Sequence, residues 1–349
     1  MSIIPTTFNE SIPPYTAVGG KERNATTGLS AVILNRNGRY SRRAFFQELE
    51  KTGFDFIISI ESTPERYDVE ELSGRFPSVR FILPKTEITL GEKINLAAVE
   101  INSPLFFVIW NDLKIIAGGT ASRMAERLSI KNEESGESDD KKSGFKRLCT
   151  VPVMLNSRYE TLPTLIAPVS YGKKMKTIFL EPQSDDSISL YPFDGVGIYD
   201  RERFIGLGGF DHTLKNNHWQ FMDFGFRAFL WGEKISLSQQ LKLSYDGQMP
   251  IEDNSTGESY RRFYLRSIAP VFHGDYAHLP LSRFPVYAFR SPDNPLTSWK
   301  KFSEIKDWVM ANRLRWRADA RMIVEKWEHG ADVFPLRGME SSVHAAANS

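Results

Sequence analysis

Polar side chains stand at the ends of three apolar runs. Asn37-Gly38 follows Leu29–Leu34, Glu61 follows Phe54–Ile60, and Asn111-Asp112 follows Pro104–Trp110. At the carboxyl edge of a sheet, a polar turn can meet a base or a phosphate, and a carboxylate can accept an N–H. A further constellation is Gly208-Gly209-Phe210-Asp211, followed by His218, Asp223 and Arg227. The glycines allow a backbone to approach a ligand closely, and Asp211 can orient a hydroxyl. A histidine such as His212 or His218 can take and return a proton near neutral pH. Each group also has a plain alternative. Asn37-Gly38 is a turn pair, Glu61 is surface decoration, and Asp112 caps a helix before LKIIAGG. Asp223 and Arg227 form an i, i+4 ion pair, and a lone histidine is an ordinary polar residue.

The elements that must position these groups follow from the apolar pattern. LSAVIL (29–34), FDFIISI (54–60), residues 79–83 and Pro104–Trp110 are short continuous apolar runs suited to buried strands. Between them lie helical segments. RRAFFQELEKTG is capped by Ser41 and stopped by Gly53, residues 67–74 are short, and GEKINLAAVEIN carries Asn95 as a polar helix residue. Strand–helix alternation with continuous apolar strands predicts an α/β sheet with parallel central strands and helices on both faces. The second half is less regular. CTVPVML, TLPTLIAPV, KTIFLEP, GVGIYD and ISLSQQLKLSYD are strand pieces, WQFMDFGFRAFLW is a helix, and residues 257–272 return as helix and loop.

The domain reading is an N-terminal arm (1–27), a main domain (28–290), a C-terminal helical extension (291–334) and a flexible tail (335–349). Residues 131–148 hold almost nothing to bury and read as a solvated, mobile loop. In the extension, Phe302, Ile305 and Val309 share a face, as do Trp316, Ala320, Ile323 and Trp327. That pattern predicts core packing. The arginines 313, 315, 317 and 321 around Trp316 leave a second option, contact with anionic lipid or phosphate.

Composition narrows the function classes. The chain has 349 residues, 41% hydrophobic and 25% charged, an ordinary globular mix. Lys+Arg 44 against Asp+Glu 43 leaves a net charge of +1, which argues against nucleic acid as a partner. One cysteine, Cys149, excludes an internal disulfide framework and reads as a small buried hydrophobe. The sequence holds no Gly-x-Gly-x-x-Gly, Walker-type or Gly-x-Ser-x-Gly arrangement, which argues against a Rossmann dehydrogenase, a P-loop NTPase and a serine hydrolase. A nucleotidyltransferase is disfavoured because no early Gly-rich, Lys-bearing loop is present. The opening residues show no basic stretch before an apolar core. The expected location is therefore cytoplasmic, at the inner face of a membrane if the C-terminal helices touch lipid.

Taken in order, these segments resemble the inverting family 2 nucleotide-sugar glycosyltransferases of the GT-A fold, over roughly residues 29–245. SAVILNRNGR resembles the family's first strand and turn. Asn37 matches its asparagine, and Leu34 and Arg36 replace its proline and tyrosine. FIISIES resembles the second strand, with Glu61 at the carboxylate that contacts the base. LGEKINLAAVEIN resembles the Gly-x-x-x-Asn helix, matched by Gly91 and Asn95. VIWND stands at the metal-binding Asp-x-Asp. Trp110 replaces the first acid and Asp112 keeps the last, while Asn111-Asp112 also resembles an adjacent Asp-Asp variant with its first acid made an amide. Gly208-Gly209-Phe210-Asp211, Asp223 and Arg227 match the late motifs, but Gln220 and Phe221 stand where the family carries its general base.

The resemblance implies an α/β, GT-A-like nucleotide-diphospho-sugar transferase fold with a mixed central sheet flanked by helices. It implies transfer from a nucleotide-diphospho sugar to a saccharide or lipid-linked glycan acceptor, with inversion. The donor site would use Asn37, Glu61, Asn95, Asn111 and Asp112. Mn²⁺ or Mg²⁺ would sit on Asp112, with His273 as a late histidine ligand. A hard cation tolerates an amide oxygen but loses a negative ligand there, so donor binding should outlast tight metal binding. The base falls to Asp211, Asp223 or His218. The alternative is a non-catalytic member that binds a nucleotide sugar, a glycan or a partner transferase.

Overall fold

A computed structural model of the chain describes residues 12–20, 27–36, 42–61, 68–128, 146–171, 174–245 and 249–329. Asn37, the capping Ser41, loop residues 131–145 and the tail 335–349 lie outside the described residues.

The chain begins with β1 (Tyr15–Gly19), then β2 (Leu29–Leu34), α1 (Arg42–Thr52), β3 (Ile57–Ile60), α2 (Val69–Arg75), β4 (Val79–Pro84), α3 (Leu90–Glu100) and β5 (Leu105–Trp110). The apolar runs of β2, β3 and β5 are buried at every position, as strands covered on both faces must be. Thr89 starts α3 with a capping box, its hydroxyl accepting from the Glu92 N–H while the Glu92 carboxylate accepts from the Thr89 N–H. β6 (Leu113–Ala117), a helix α4 over 121–128, β7 (Lys146–Leu155), the ribbon β8 (Leu165–Tyr171) and β9 (Lys174–Leu180), and β10 (Gly197–Asp200) follow. Next come α5 (Arg201–Leu207), α6 (Asn217–Leu230), β11 (Glu233–Tyr245) and α7 (Glu258–Phe263). The chain closes with the hairpin β12 (Val271–Phe272) and β13 (Ala277–His278), then α8 (Phe284–Arg290), α9 (Pro295–Ala311) and α10 (Ala320–His329).

One sheet of nine strands runs β1-β4-β3-β2-β5-β10-β7-β11-β6. Its central strands β4, β3, β2 and β5 are parallel. β1 and β10 join antiparallel at either side, so the sheet is mixed, as expected. The N-terminal segment departs from the arm reading, because Tyr15–Gly19 pairs along β4. Lys146–Leu148, read as part of the loop, begins β7. LKIIA is β6, so Asp112 precedes a strand and not a helix.

The C-terminal helices belong to the main core. Trp308 of α9 stacks on Trp231 at 5.8 Å, and Trp327 of α10 meets Phe229 at 4.8 Å. Trp316, between them, is 1% exposed. The expected apolar faces are all buried, Phe302, Ile305 and Val309 among them. Arg315 lies over Trp231 and donates to the Gly206 carbonyl. These contacts serve packing, and none of them presents Trp316 to lipid. Among the described residues, no helix is long and apolar enough to cross a membrane.

Candidate functional site

Register places Leu34 opposite both Ile60 and Trp110, so β2, β3 and β5 end at one edge of the sheet. The residues that follow, Asn35-Arg36, Glu61 and Asn111-Asp112, share that edge. Asn35 ties it together, donating to the Ile60 carbonyl at 2.8 Å and to Ser59 Oγ at 3.1 Å. Glu61 accepts from Arg42 at 2.7 Å and from Ser59 at 3.0 Å. Burial pushes its carboxyl up, and Arg42 and Ser59 pull against that. Asn111 is pinned twice to the end of β2. Its N–H donates to the Leu34 carbonyl, and its Oδ1 accepts from the Arg36 N–H at 3.1 Å.

Arg36 is the centre of this edge. Its guanidinium lies 4.1 Å over the Trp110 ring. Its Nε faces Asp112 Oδ2 at 3.6 Å, and its Nη2 pairs with Asp194. Asp194 adopts φ 56°, a left-handed conformation costly for a residue with a Cβ. Tyr245 donates to the same Asp194 oxygen at 3.1 Å, and Trp110 Nε1 donates to the Asp194 carbonyl at 2.9 Å. Trp110, which the resemblance sets at the family's first metal-binding acid, is thus an aromatic face beneath a cation.

The donor set does not fit a divalent ion. Such an ion needs several oxygen ligands around it, whereas Asp112 and Asp194 both face one guanidinium. Among the described residues, no group of three His, Cys, Asp or Glu could hold a metal. His273 sits in the β12–β13 hairpin, where its Nε2 meets His278 Nδ1 at 3.1 Å.

The late motif has a structural explanation. Gly208 ends α5 at φ 93°, which turns the chain into Gly209-Phe210-Asp211. Asn95, expected at the donor, spends its whole amide on this segment. It donates to the Phe210 carbonyl and accepts from the Phe210 N–H, each at 2.8 Å. Gln220, which the resemblance sets at the family's general-base position, is a clamp. Its Oε1 accepts from Gly91 N–H at 2.9 Å, and its Nε2 donates to Thr89 Oγ1 and the Asp211 carbonyl. A glycine is required at 91 because a Cβ there would meet the Gln220 side chain at 2.5 Å.

Asp211 and Asp223 are fully buried. Asp211 accepts from Thr213 through its N–H at 3.0 Å and its hydroxyl at 2.6 Å, and pairs with Arg262 at 3.3 Å and with Arg266. Burial alone would push the Asp211 carboxyl up. Arg266, Arg262 and Thr213 outweigh it and hold the group well below the usual carboxylate range. Asp223 pairs with Arg227 at 2.8 Å and accepts from Ser267 at 3.0 Å. Arg266 and Ser267 come from a π-turn, Tyr264–Ile268, that continues α7. The network joins α6, α7 and α9, where Arg266 also lies 3.8 Å over Trp308. Both carboxylates are fully buried and taken up by arginines, which argues against either as a base toward an acceptor.

His218 is placed differently. It lines a cleft of about 550 Å³ with Asp194, Lys215, Phe221 and Glu252. Its Nδ1 lies 2.8 Å from Glu252 Oε2, and Tyr191 OH donates to the same oxygen at 2.7 Å. An ionised carboxylate only accepts, so His218 Nδ1–H is the donor. Glu252 Oε1 is buried and has no hydrogen-bond partner among the described residues. Asp194 links the two halves, facing Arg36 on one side and the cleft on the other. Asp194 and Glu252 were absent from the sequence reading. Asp194-Gly195 reads as a turn pair, and Glu252 lies in a polar loop without periodicity. Cys149 is buried as expected, and burial pushes its thiol up.

No family profile matches the chain, and no curated protein matches it. Among solved structures, it is similar to that of GalNAc-T7 with UDP, GalNAc and Mn²⁺, at 13% identity and a TM-score of 0.52. The match covers 90% of this chain and 59% of that one, so this chain spans well under two thirds of that protein's length. The fold is GT-A-like. At this identity the likeness speaks for architecture alone: a mixed central sheet flanked by helices, in the arrangement of a nucleotide-diphospho-sugar transferase.

Proposed function

We propose that the chain transfers a sugar from a nucleotide-diphospho donor to a saccharide or lipid-linked glycan acceptor, by single displacement with inversion. The observation that carries this reading is Glu252. One oxygen is held by Tyr191 and His218, the other has no hydrogen-bond partner among the described residues, and the residue lines the cleft. A carboxylate so placed can take a proton from an acceptor hydroxyl. The acceptor oxygen then bonds to the anomeric carbon, the bond from that carbon to the diphosphate breaks, and the proton stays on Glu252. His218 and Tyr191 are positioning residues in this scheme. The donor lies along the strand-end edge at Glu61 and Asn111, next to the cleft through Asp194.

The test is turnover of UDP-, GDP- and dTDP-sugars with a panel of glycan acceptors, the product anomer being read by NMR. Glu252→Gln should lower kcat by about 10²–10⁴-fold with donor affinity kept. Full turnover by that variant refutes the role of Glu252. Trp110, Gln220 and Phe221, in place of the family's acids, favour a second reading, a protein that binds a nucleotide sugar without transferring it. Donor binding with no product from any acceptor selects that reading.

A further inference from the structure

We infer that Arg36 is the resident cation of the strand-end edge, taking the place of a divalent ion, so that this site receives its ligand without metal. The inference rests on the proposed donor edge for its purpose, and on side-chain geometry for its substance.

Four features converge on the guanidinium. Trp110 offers the face of its ring at 4.1 Å, where a carboxylate would have been a metal ligand. An indole attracts a cation through its quadrupole and has no charge to give a metal. Asp112 and Asp194 come from separate parts of the chain and converge on the same guanidinium. Tyr245 donates to the Asp194 carboxylate from β11 and fixes its direction. Asp194 holds that direction from a left-handed backbone, a conformation that persists only where its surroundings enforce it. The Asp112 and Asp194 side chains are 9% and 10% exposed, so both charges are largely withdrawn from water and depend on the cation between them. A divalent ion could join them only by displacing Arg36 from both acids and from the indole.

A merely decorative arginine could be removed without changing how the site meets cations. Removing the guanidinium leaves two desolvated carboxylates facing one volume. Such a pair recruits a hard cation.

The experiment is a Mn²⁺ titration of the full chain without nucleotide, read by the loss of the free-ion EPR signal, for the native protein and for Arg36→Ala. The native protein should show no saturable binding. Arg36→Ala should bind Mn²⁺ at least about tenfold more tightly, and its Tm should rise with added Mn²⁺ while the native Tm does not. A folded Arg36→Ala with no gain in Mn²⁺ affinity overturns the inference. If that variant does not fold, the native titration decides. Saturable Mn²⁺ binding that Asp112→Asn abolishes overturns the inference, and its absence supports it. A parallel calorimetric titration of the native protein with UDP-, GDP- and dTDP-sugars, in EDTA and in Mn²⁺, separates the two ideas. Binding that requires Mn²⁺ overturns the role of Arg36. No binding in either condition overturns the donor edge alone, and the Mn²⁺ titration still judges Arg36.

Discussion

Replacing Asp211 by asparagine separates a structural acid from a catalytic one. The substitution keeps size and leaves an oxygen to accept from Thr213, but removes the charge that faces Arg262 and Arg266. Arg266 is 2% exposed and would keep Asp223, at 3.7 Å from its Nε, as its acidic partner among the described residues, beside the Trp308 ring. Breaking a buried pair strands its partner's charge and costs about 3–5 kcal/mol. Against a typical stability of about 5–15 kcal/mol, that is a large share. Urea unfolding followed by tryptophan fluorescence should show the midpoint falling with the slope unchanged. The pH dependence has a definite sign. Asp211 is held below its unfolded pKa, so its contribution is fully present above the ordinary value of about 3.9 and is lost as pH falls from there toward the folded value. Asp211→Asn should therefore flatten the acid limb of the stability curve. A loss under about 1 kcal/mol would refute the buried-pair argument. Unchanged stability with transfer abolished would return Asp211 to the chemistry.

Two further substitutions test the packing that supports the site. Trp316→Ala should cost about 3–5 kcal/mol, measured by urea unfolding, because the ring is buried between the C-terminal helices and the main core. A cost near zero would mean that these helices are an appendage. Gly91→Ala should cost about 1–3 kcal/mol, read as a fall in Tm, since its Cβ would press on Gln220 and Phe210. A neutral result would show that Gln220 is not held where the clamp requires it.

The parallel half of the sheet was readable because burial on both faces leaves a continuous apolar run. Leu29–Leu34 is β2 residue for residue, and Val79–Pro84 and Leu105–Trp110 shift by one at an end. β1 was missed for the opposite reason. YTAVG lies at the sheet margin, half exposed, and carries no such run. β6 alternates buried and exposed over five residues, too short to outweigh a capping reading of Asp112. At the site, residue type was informative and role was not. Asn95, Asp211 and Gln220 stand out in the sequence, yet what each amide or carboxylate faces depends on segments far along the chain. Asn95 meets Phe210, Gln220 meets Gly91, and Asp211 meets Arg266. Glu252 has the reverse history. Nothing in its neighbourhood marks it, and only folding brings Tyr191 and His218 onto its carboxylate.

Trp110, Arg36 and Asp112 are tied to one another at the strand ends. Arg36 supplies a positive charge to the buried Asp112 carboxylate and uses the Trp110 indole as its platform. Likewise the neutral amide of Gln220 satisfies both the Gly91 N–H and the Asp211 carbonyl, which needs an acceptor and a donor together. Under the proposed function the chemistry falls in the cleft, where Tyr191 and His218 hold the Glu252 carboxylate.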